Sequence, residues 1–165
     1  GFELEVTSNV GDDWTLSAGL TLLDSAYGEF LNTDALQGDA GVLQNKGNPL
    51  NKAPEQSLNV GIVRNMTFDS GARLALSLNT AYRSRTYFRE FGQIDDSQAA
   101  YTVVNFNANF ETADELFTTR FFVNNATNEA YITDMSTGDS QYGRHAAWGM
   151  PRHIGIELTR HFGTR

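Results

Sequence analysis

Three arginines crowd one short stretch, YRSRTYFRE (Tyr82 to Glu90): Arg83, Arg85 and Arg89, with Tyr87 and Phe88 between them. They are three of only 12 basic residues in a chain of 165 that carries 20 acidic ones. A guanidinium offers a fork of parallel donors to an oxyanion, and a neighbouring ring adds a flat apolar contact. Arg83, Arg85, Tyr87 and Arg89 are therefore the candidate contacts for an anionic ligand. The competing reading is a strand end whose arginines pair with nearby acids or with lipid phosphates.

Other chemistry-bearing residues point nowhere as a group. His153 and His161 share a strand face, but at about 3.3 Å per residue they lie about 26 Å apart and cannot share a metal. His145 stands beside Arg144, a poor setting for a cation. DMSTGD (Asp134 to Asp139) holds acids and a glycine without the spacing of an EF-hand loop, and reads as a solvated turn. So does QIDDS, with Asp95 and Asp96. No G-x-S-x-G is present and no spacing pairs a serine with a histidine. Asn65-Met66-Thr67 and Asn125-Ala126-Thr127 match the short glycosylation pattern. No catalytic residue, cofactor or metal site is expected.

The elements that must position these residues are strands. Seven stretches alternate apolar and polar with period two. They centre on Phe2/Leu4/Val6, Trp14 to Leu22, Leu58/Val60/Ile62, Leu74 to Tyr82, Thr102 to Phe110, Thr119/Phe121/Val123 and Ile154 to Leu158. TADELF (Thr112 to Phe117) is too short for a helix and reads as a turn. Three connections are short: SNVGDD, NMTFDSG and TADE. Three are long: about Asp24 to Pro54, Ser84 to Ala99 and Asn125 to Met150. Short and long alternate, so a meander would place tight turns at one end and long loops at the other. Outer-membrane barrels have that asymmetry.

Strand length agrees. The fourth stretch can run from Ala72 to Arg83 and the fifth from Ala100 to Glu111. Strands that cross a bilayer need about 9–11 residues, while globular strands cluster near 5–6. Trp14, Phe110 and Phe162 fall at the short-turn end, and Tyr27, Tyr82 and Tyr101 at the long-loop end, as parts of two interfacial girdles. On this reading His153, Glu157, Thr159 and His161 face inward and the apolar residues of the last strand face lipid. Mean hydropathy is −0.39, which is no objection, because membrane strands alternate. No apolar run approaches the roughly 18 residues of a membrane helix. The net charge of −8 argues against nucleic acid as partner. There is no cysteine, hence no disulfide.

The ordered phrases GFELEV, WTLSAGLTLLDSAYGEF, GNPLNKAPEQSLNVGI, AYTVVNFNANF, FFVNNATNEAY and WGMPRHIGIELTRHF resemble the C-terminal barrel strands of TonB-dependent outer-membrane receptors. The resemblance covers nearly the whole chain. It implies a 22-stranded barrel with a plugged lumen, in a Gram-negative outer membrane, of which residues 1–165 are a C-terminal slice. The expected fold is all-β, an antiparallel up-and-down meander of about seven strands. The expected function is import of a scarce nutrient such as a ferric siderophore, cobalamin, haem or an oligosaccharide, without enzymatic activity. The partners so implied are outer-membrane lipid and lipopolysaccharide, the rest of the barrel, the plug, and the energy-coupling TonB protein acting through the plug. The chain departs from the family in one respect: Gly163, Thr164 and Arg165 follow the aromatic Phe162, on which family chains commonly stop.

The alternative is a soluble secreted β-sandwich that binds a ligand. It requires a second sheet against the Leu74/Leu76/Leu78 face. A second alternative, an outer-membrane enzyme barrel, requires a catalytic constellation that the sequence does not display.

Overall fold

A computed structural model describes residues 1–37, 41–138 and 141–162. Asp139 and the Gly163–Arg165 tail lie outside the described residues. Among the described residues thirteen strands follow in chain order: β1 (Phe2–Val10), β2 (Trp14–Leu22), β3 (Leu31–Thr33), β4 (Val42–Gln44), β5 (Gln56–Thr67), β6 (Arg73–Arg83), β7 (Thr86–Tyr87), β8 (Ser97–Gln98), β9 (Tyr101–Glu111), β10 (Phe117–Asn124), β11 (Ile132–Thr137), β12 (Arg144–Trp148) and β13 (His153–Arg160). The long strands form one seven-stranded antiparallel sheet in the order β1-β2-β5-β6-β9-β10-β13. Each of the seven alternating stretches is one of its strands.

Register makes the two faces chemically distinct. Ser8, Leu16, Ile62, Leu78, Phe106, Val123 and Ile154 form one row across all seven strands. The adjacent row on the opposite face starts Thr7, Ser17, Gly61, Asn79, Asn105. A slip of one residue in any strand would exchange its faces. The rows leave little room on the polar side: a Cβ on Gly61 would run into the Ser17 hydroxyl.

The apolar face is covered by nothing among the described residues. Leu78 is 40% exposed, Val6 50% and Ile156 75%. Among the described residues the only buried apolar side chains are Ala72 and Phe88. The remaining sheets are two-stranded hairpins, β3–β4, β7–β8 and β11–β12, each within a long connection. The second sheet demanded by a soluble sandwich is absent from the described residues, and that alternative is set aside. Contiguous apolar surface on this scale marks an interaction face rather than a water-facing one.

The short connections are tight because local chemistry reverses the chain. Between β5 and β6 the backbone N–H of Phe68 donates to the Ala72 carbonyl (2.9 Å), and Gly71 takes φ 89°, a conformation open to glycine. Between β9 and β10 the Thr112 hydroxyl donates to the Asp114 carboxylate (2.6 Å) and accepts from the Phe117 N–H (3.1 Å). TADELF is thus a turn, with Glu115 at φ 56°.

Candidate functional site

The long connections meet above the sheet in a polar cluster. Asp34 comes from the first, Arg89 and Asp96 from the second, and Arg144 from the third. Asp34 and Asp96 are both 0% exposed. The Arg89 guanidinium donates from Nη1 to Asp96 Oδ2 (2.8 Å) and from Nη2 to Asp34 Oδ1. Arg144 Nε donates to the other oxygen of Asp96 (2.5 Å). Asp34 also accepts from the Leu36 N–H (3.0 Å). The Phe91 ring lies 4.6 Å beneath the Arg89 guanidinium. Two carboxylates and two guanidiniums balance, so the cluster seals without net charge.

Burial alone would raise the Asp34 carboxyl. The Arg89 hydrogen bond, the Leu36 N–H and the Arg89 charge outweigh it and hold the group below the usual carboxylate range. Burial likewise opposes the Arg89 charge, and its bonds to Asp34 and Asp96 override that and raise it. Both groups stay ionised because each is the other's partner. Around them Asn32 Nδ2 donates to Glu90 Oε1 (2.5 Å) and Asn48 Nδ2 to the Glu90 carbonyl (2.8 Å), tying the first connection to the second again.

A second junction joins the first and third connections. Lys52 Nζ lies 2.9 Å from Asp134, which the Lys52 hydrogen bond and the Met135 N–H hold below its ordinary range. Tyr101 and Tyr131 stack with ring centroids 4.5 Å apart. Between these contacts opens a cleft lined by Lys52, Pro54, Arg83, Thr86, Phe88, Tyr101, Ile132 and Thr133. Tyr101 shares the inward rows with Arg83. Its place in an interfacial girdle, expected from its position at the strand end, is corrected: odd-numbered residues of β9 face the polar side.

The four sequence-derived ligand candidates are therefore dispersed. Arg83 lines the cleft and donates to the Ser57 hydroxyl (3.4 Å). Arg85 donates to the Ser97 hydroxyl (2.8 Å). Tyr87 pairs with Ser97 across the β7–β8 hairpin. Arg89 is inside, enclosed by its two carboxylates. Asp96 corrects the expectation of a solvated QIDDS turn: Asp95 is exposed and Asp96 is the centre of the cluster. Asp34 and Arg144 carried no sequence signal, since their partnership depends on three loops returning to one place.

Below the mouth the inward side chains Glu5, Thr7, Ser17, Asn59, Asn79 and Asn105 line a polar depression. On the same face of the sheet Arg120 donates to Asn107 (3.0 Å) and lies 5.1 Å over the Phe122 ring. Asn125, buried at the top of β10, donates to the carbonyls of Glu129 (2.8 Å) and Met150 (3.0 Å), fixing the chain's exit toward the third loop and its return. Among the described residues no group of three or more metal-binding side chains converges.

Comparison with known proteins agrees with this architecture. The family model described as "TonB dependent receptor-like, beta-barrel" matches residues 1–126. No curated protein matches the chain. The fold is similar to the ferric yersiniabactin uptake receptor FyuA of Yersinia pestis, at TM-score 0.76, 17% identity, and 94% of this chain against 22% of that one. It is similar to the siderophore receptor PiuA of Acinetobacter baumannii (0.73, 16%, 94% against 20%). It is also similar to BauA, the ferric preacinetobactin receptor of Acinetobacter baumannii (0.70, 20%, 94% against 21%). The chain thus spans about a fifth of the length of those structures, and the family is one of transporters, not of enzymes. The chain belongs to the TonB-dependent receptor β-barrel family.

Proposed function

We propose that this chain supplies seven strands of the barrel wall of an outer-membrane importer of a scarce nutrient, with a ferric siderophore as the favoured cargo. The observation that carries the reading is the sheet's uncovered apolar face opposite a polar one. Of the charged side chains on the seven long strands, Glu3, Glu5, Arg73, Arg83, Glu111, Arg120 and Glu157 all point to the polar side, and only Arg64 and Arg160 point outward. A wall between lipid and an aqueous lumen needs that distribution. The similarity to three siderophore receptors supports the cargo class. The plug belongs to the rest of the receptor, and the TonB protein, a separate partner, energises transport through it.

Within the mouth, Arg83, Arg85 and Tyr87 are the ligand contacts, and Arg89 acts through the loops it holds. Arg83 and Lys52 flank a cleft that also presents Tyr101, a setting suited to an anionic chelate. The test is uptake by cells carrying the full-length receptor under iron limitation, with a panel of radiolabelled ferric hydroxamates, catecholates and mixed chelates, and with cobalamin and haem as comparators. Receptor-dependent accumulation of a ferric chelate supports the assignment. Accumulation of cobalamin or haem alone replaces the cargo, and no accumulation of any of them overturns it.

A further inference from the structure

The two outward charges have more in common than their sign. Arg64 lies with its guanidinium 5.1 Å over the Trp14 ring. Arg160 lies over two rings, Phe117 at 5.7 Å and Phe162 at 4.8 Å. Both arginines are exposed. Among the described residues neither donates a hydrogen bond to a side chain or carbonyl. The inward strand arginines differ: Arg73 reaches Glu111 and Glu115, Arg83 reaches Ser57, and Arg120 reaches Asn107. The outward pair thus carries free donors on a face with no acid to meet them.

Their heights coincide. Register carries Arg64 through Leu76, Ala108 and Phe121 to Ile156, and Arg160 lies four residues further along β13. Four strand steps across are about 19 Å, and four residues along are about 13 Å. The line joining the arginines is therefore inclined by about 35° to the row direction, within the ~35–45° strand tilt of membrane barrels. The sense agrees with the turns. Arg64 shares the last outward row before the β1–β2 turn, and Arg160 pairs with Phe117 at the β9–β10 turn. In a tilted wall both guanidiniums sit in one plane parallel to the membrane, at its short-turn edge.

We propose that Arg64 with Trp14, and Arg160 with Phe117 and Phe162, form two seats for phospholipid phosphates in the leaflet on the short-turn side. The ring holds the flat guanidinium against the wall, and its outer N–H donors reach a phosphate oxygen. An anionic phospholipid fits because neither guanidinium is ion-paired among the described residues and the outward strand rows carry no carboxylate. The inference rests on the membrane reading above. The short turns mark the periplasmic side in this family, so the occupant is a phospholipid and not lipopolysaccharide.

The experiment is native mass spectrometry of the full-length receptor released from detergent in the presence of phosphatidylglycerol, phosphatidylcholine or lipopolysaccharide. The wild type should retain phosphatidylglycerol over phosphatidylcholine. R64Q/R160Q should retain about fivefold less phosphatidylglycerol, from the loss of one interfacial cation at each of the two seats, with phosphatidylcholine unchanged. R64K/R160K should recover part of the loss. If the double variant does not reach the folded, heat-resistant barrel, each single variant should show a smaller loss of the same kind. Equal retention of phosphatidylglycerol by wild type and R64Q/R160Q overturns the seats while leaving the membrane wall intact. So does a loss confined to lipopolysaccharide. Retention of no phosphatidylglycerol by the wild type likewise overturns the seats, whereas absence of a heat-resistant barrel from the outer membrane is what would overturn the membrane reading.

Discussion

On the strand wall Ile156 and Leu158 stand bare, and at the loop end Asp34 and Asp96 are wholly enclosed. A water-soluble protein has the opposite arrangement, with leucines inside and aspartates outside. On the membrane reading proposed above, the wall needs no core of its own, because lipid takes the place of a second sheet on one side. On the proposed reading the mouth lies beyond the bilayer, and several of its apolar side chains, Leu31, Val42, Ile94 and Trp148 among them, stay exposed rather than forming a core. It is held instead by a closed set of ion pairs among three loops. The contrast teaches that burial here follows the surroundings of each region: hydrogen bonding along strands holds the wall, and paired charge holds the mouth.

The most severe way to break the comparison is to remove the centre of the mouth cluster. Asp96→Ala leaves Arg89 and Arg144 each short of a carboxylate. Breaking a buried ion pair from one side costs about 3–5 kcal/mol. Limited proteolysis of the full-length receptor should show cleavage in the loop around residues 84–100 rising by two orders of magnitude or more. The barrel should still migrate as a heat-resistant form on a gel. Coupled loss of barrel and loops would show that wall and mouth are one cooperative unit.

The wall should fail in the complementary way. Leu76→Arg puts a cation on the outward face at a cost of about 2–4 kcal/mol near the bilayer midplane, while Ser77→Arg, one residue on, faces the lumen. The amount of folded barrel in the outer membrane should fall for the first and stay near wild type for the second. Equal tolerance would erase the distinction between the faces.

Ligand binding sharpens the contrast within the mouth. Arg83→Ala with Arg85→Ala removes two candidate contacts, each worth about 1.5–3 kcal/mol if charge-assisted, so affinity for the transported chelate should drop at least tenfold with loop protection unchanged. Arg89→Ala should loosen the loops as well, which separates a contact from a clamp. Unchanged affinity in the first variant would return Arg83 and Arg85 to the status of surface charges.

The smallest effect is on pH. Asp34 is held below its ordinary range, so its contribution to loop stability is complete above its unfolded value, about 3.9, and is lost as pH falls through the lower folded value. Proteolytic protection of the loops should be flat from neutrality to about pH 5 and decline only in stronger acid. A decline centred near pH 6 would point to a group other than Asp34.

The wall was legible in the sequence and the mouth was not, for a physical reason. Period-two alternation over nine or more residues repeats the same environment many times, so β6 is found at Arg73–Arg83 against an expected Ala72–Arg83, and β9 at Tyr101–Glu111 against Ala100–Glu111. The hairpins β3–β4 and β7–β8 are two or three residues a side, too short to show a period. Asp34, Arg89, Asp96 and Arg144 come from three separate connections, and no local pattern announces contacts of that kind. Arginine density at residues 83–89 did mark the region, although it could not tell an enclosed Arg89 from an open Arg83.

The central claim is that the alternating faces of one strand meet lipid and water in turn. The chain has no cysteine, so single cysteines can be placed at consecutive positions of β6, from Ala75 to Thr80, in the full-length receptor in bilayers and spin-labelled. Collision with lipid-soluble oxygen should peak at residues 76, 78 and 80, and collision with a water-soluble nickel chelate at 75, 77 and 79. Profiles without a two-residue period, or with the water-soluble probe favouring residues 76 and 78, would contradict the account.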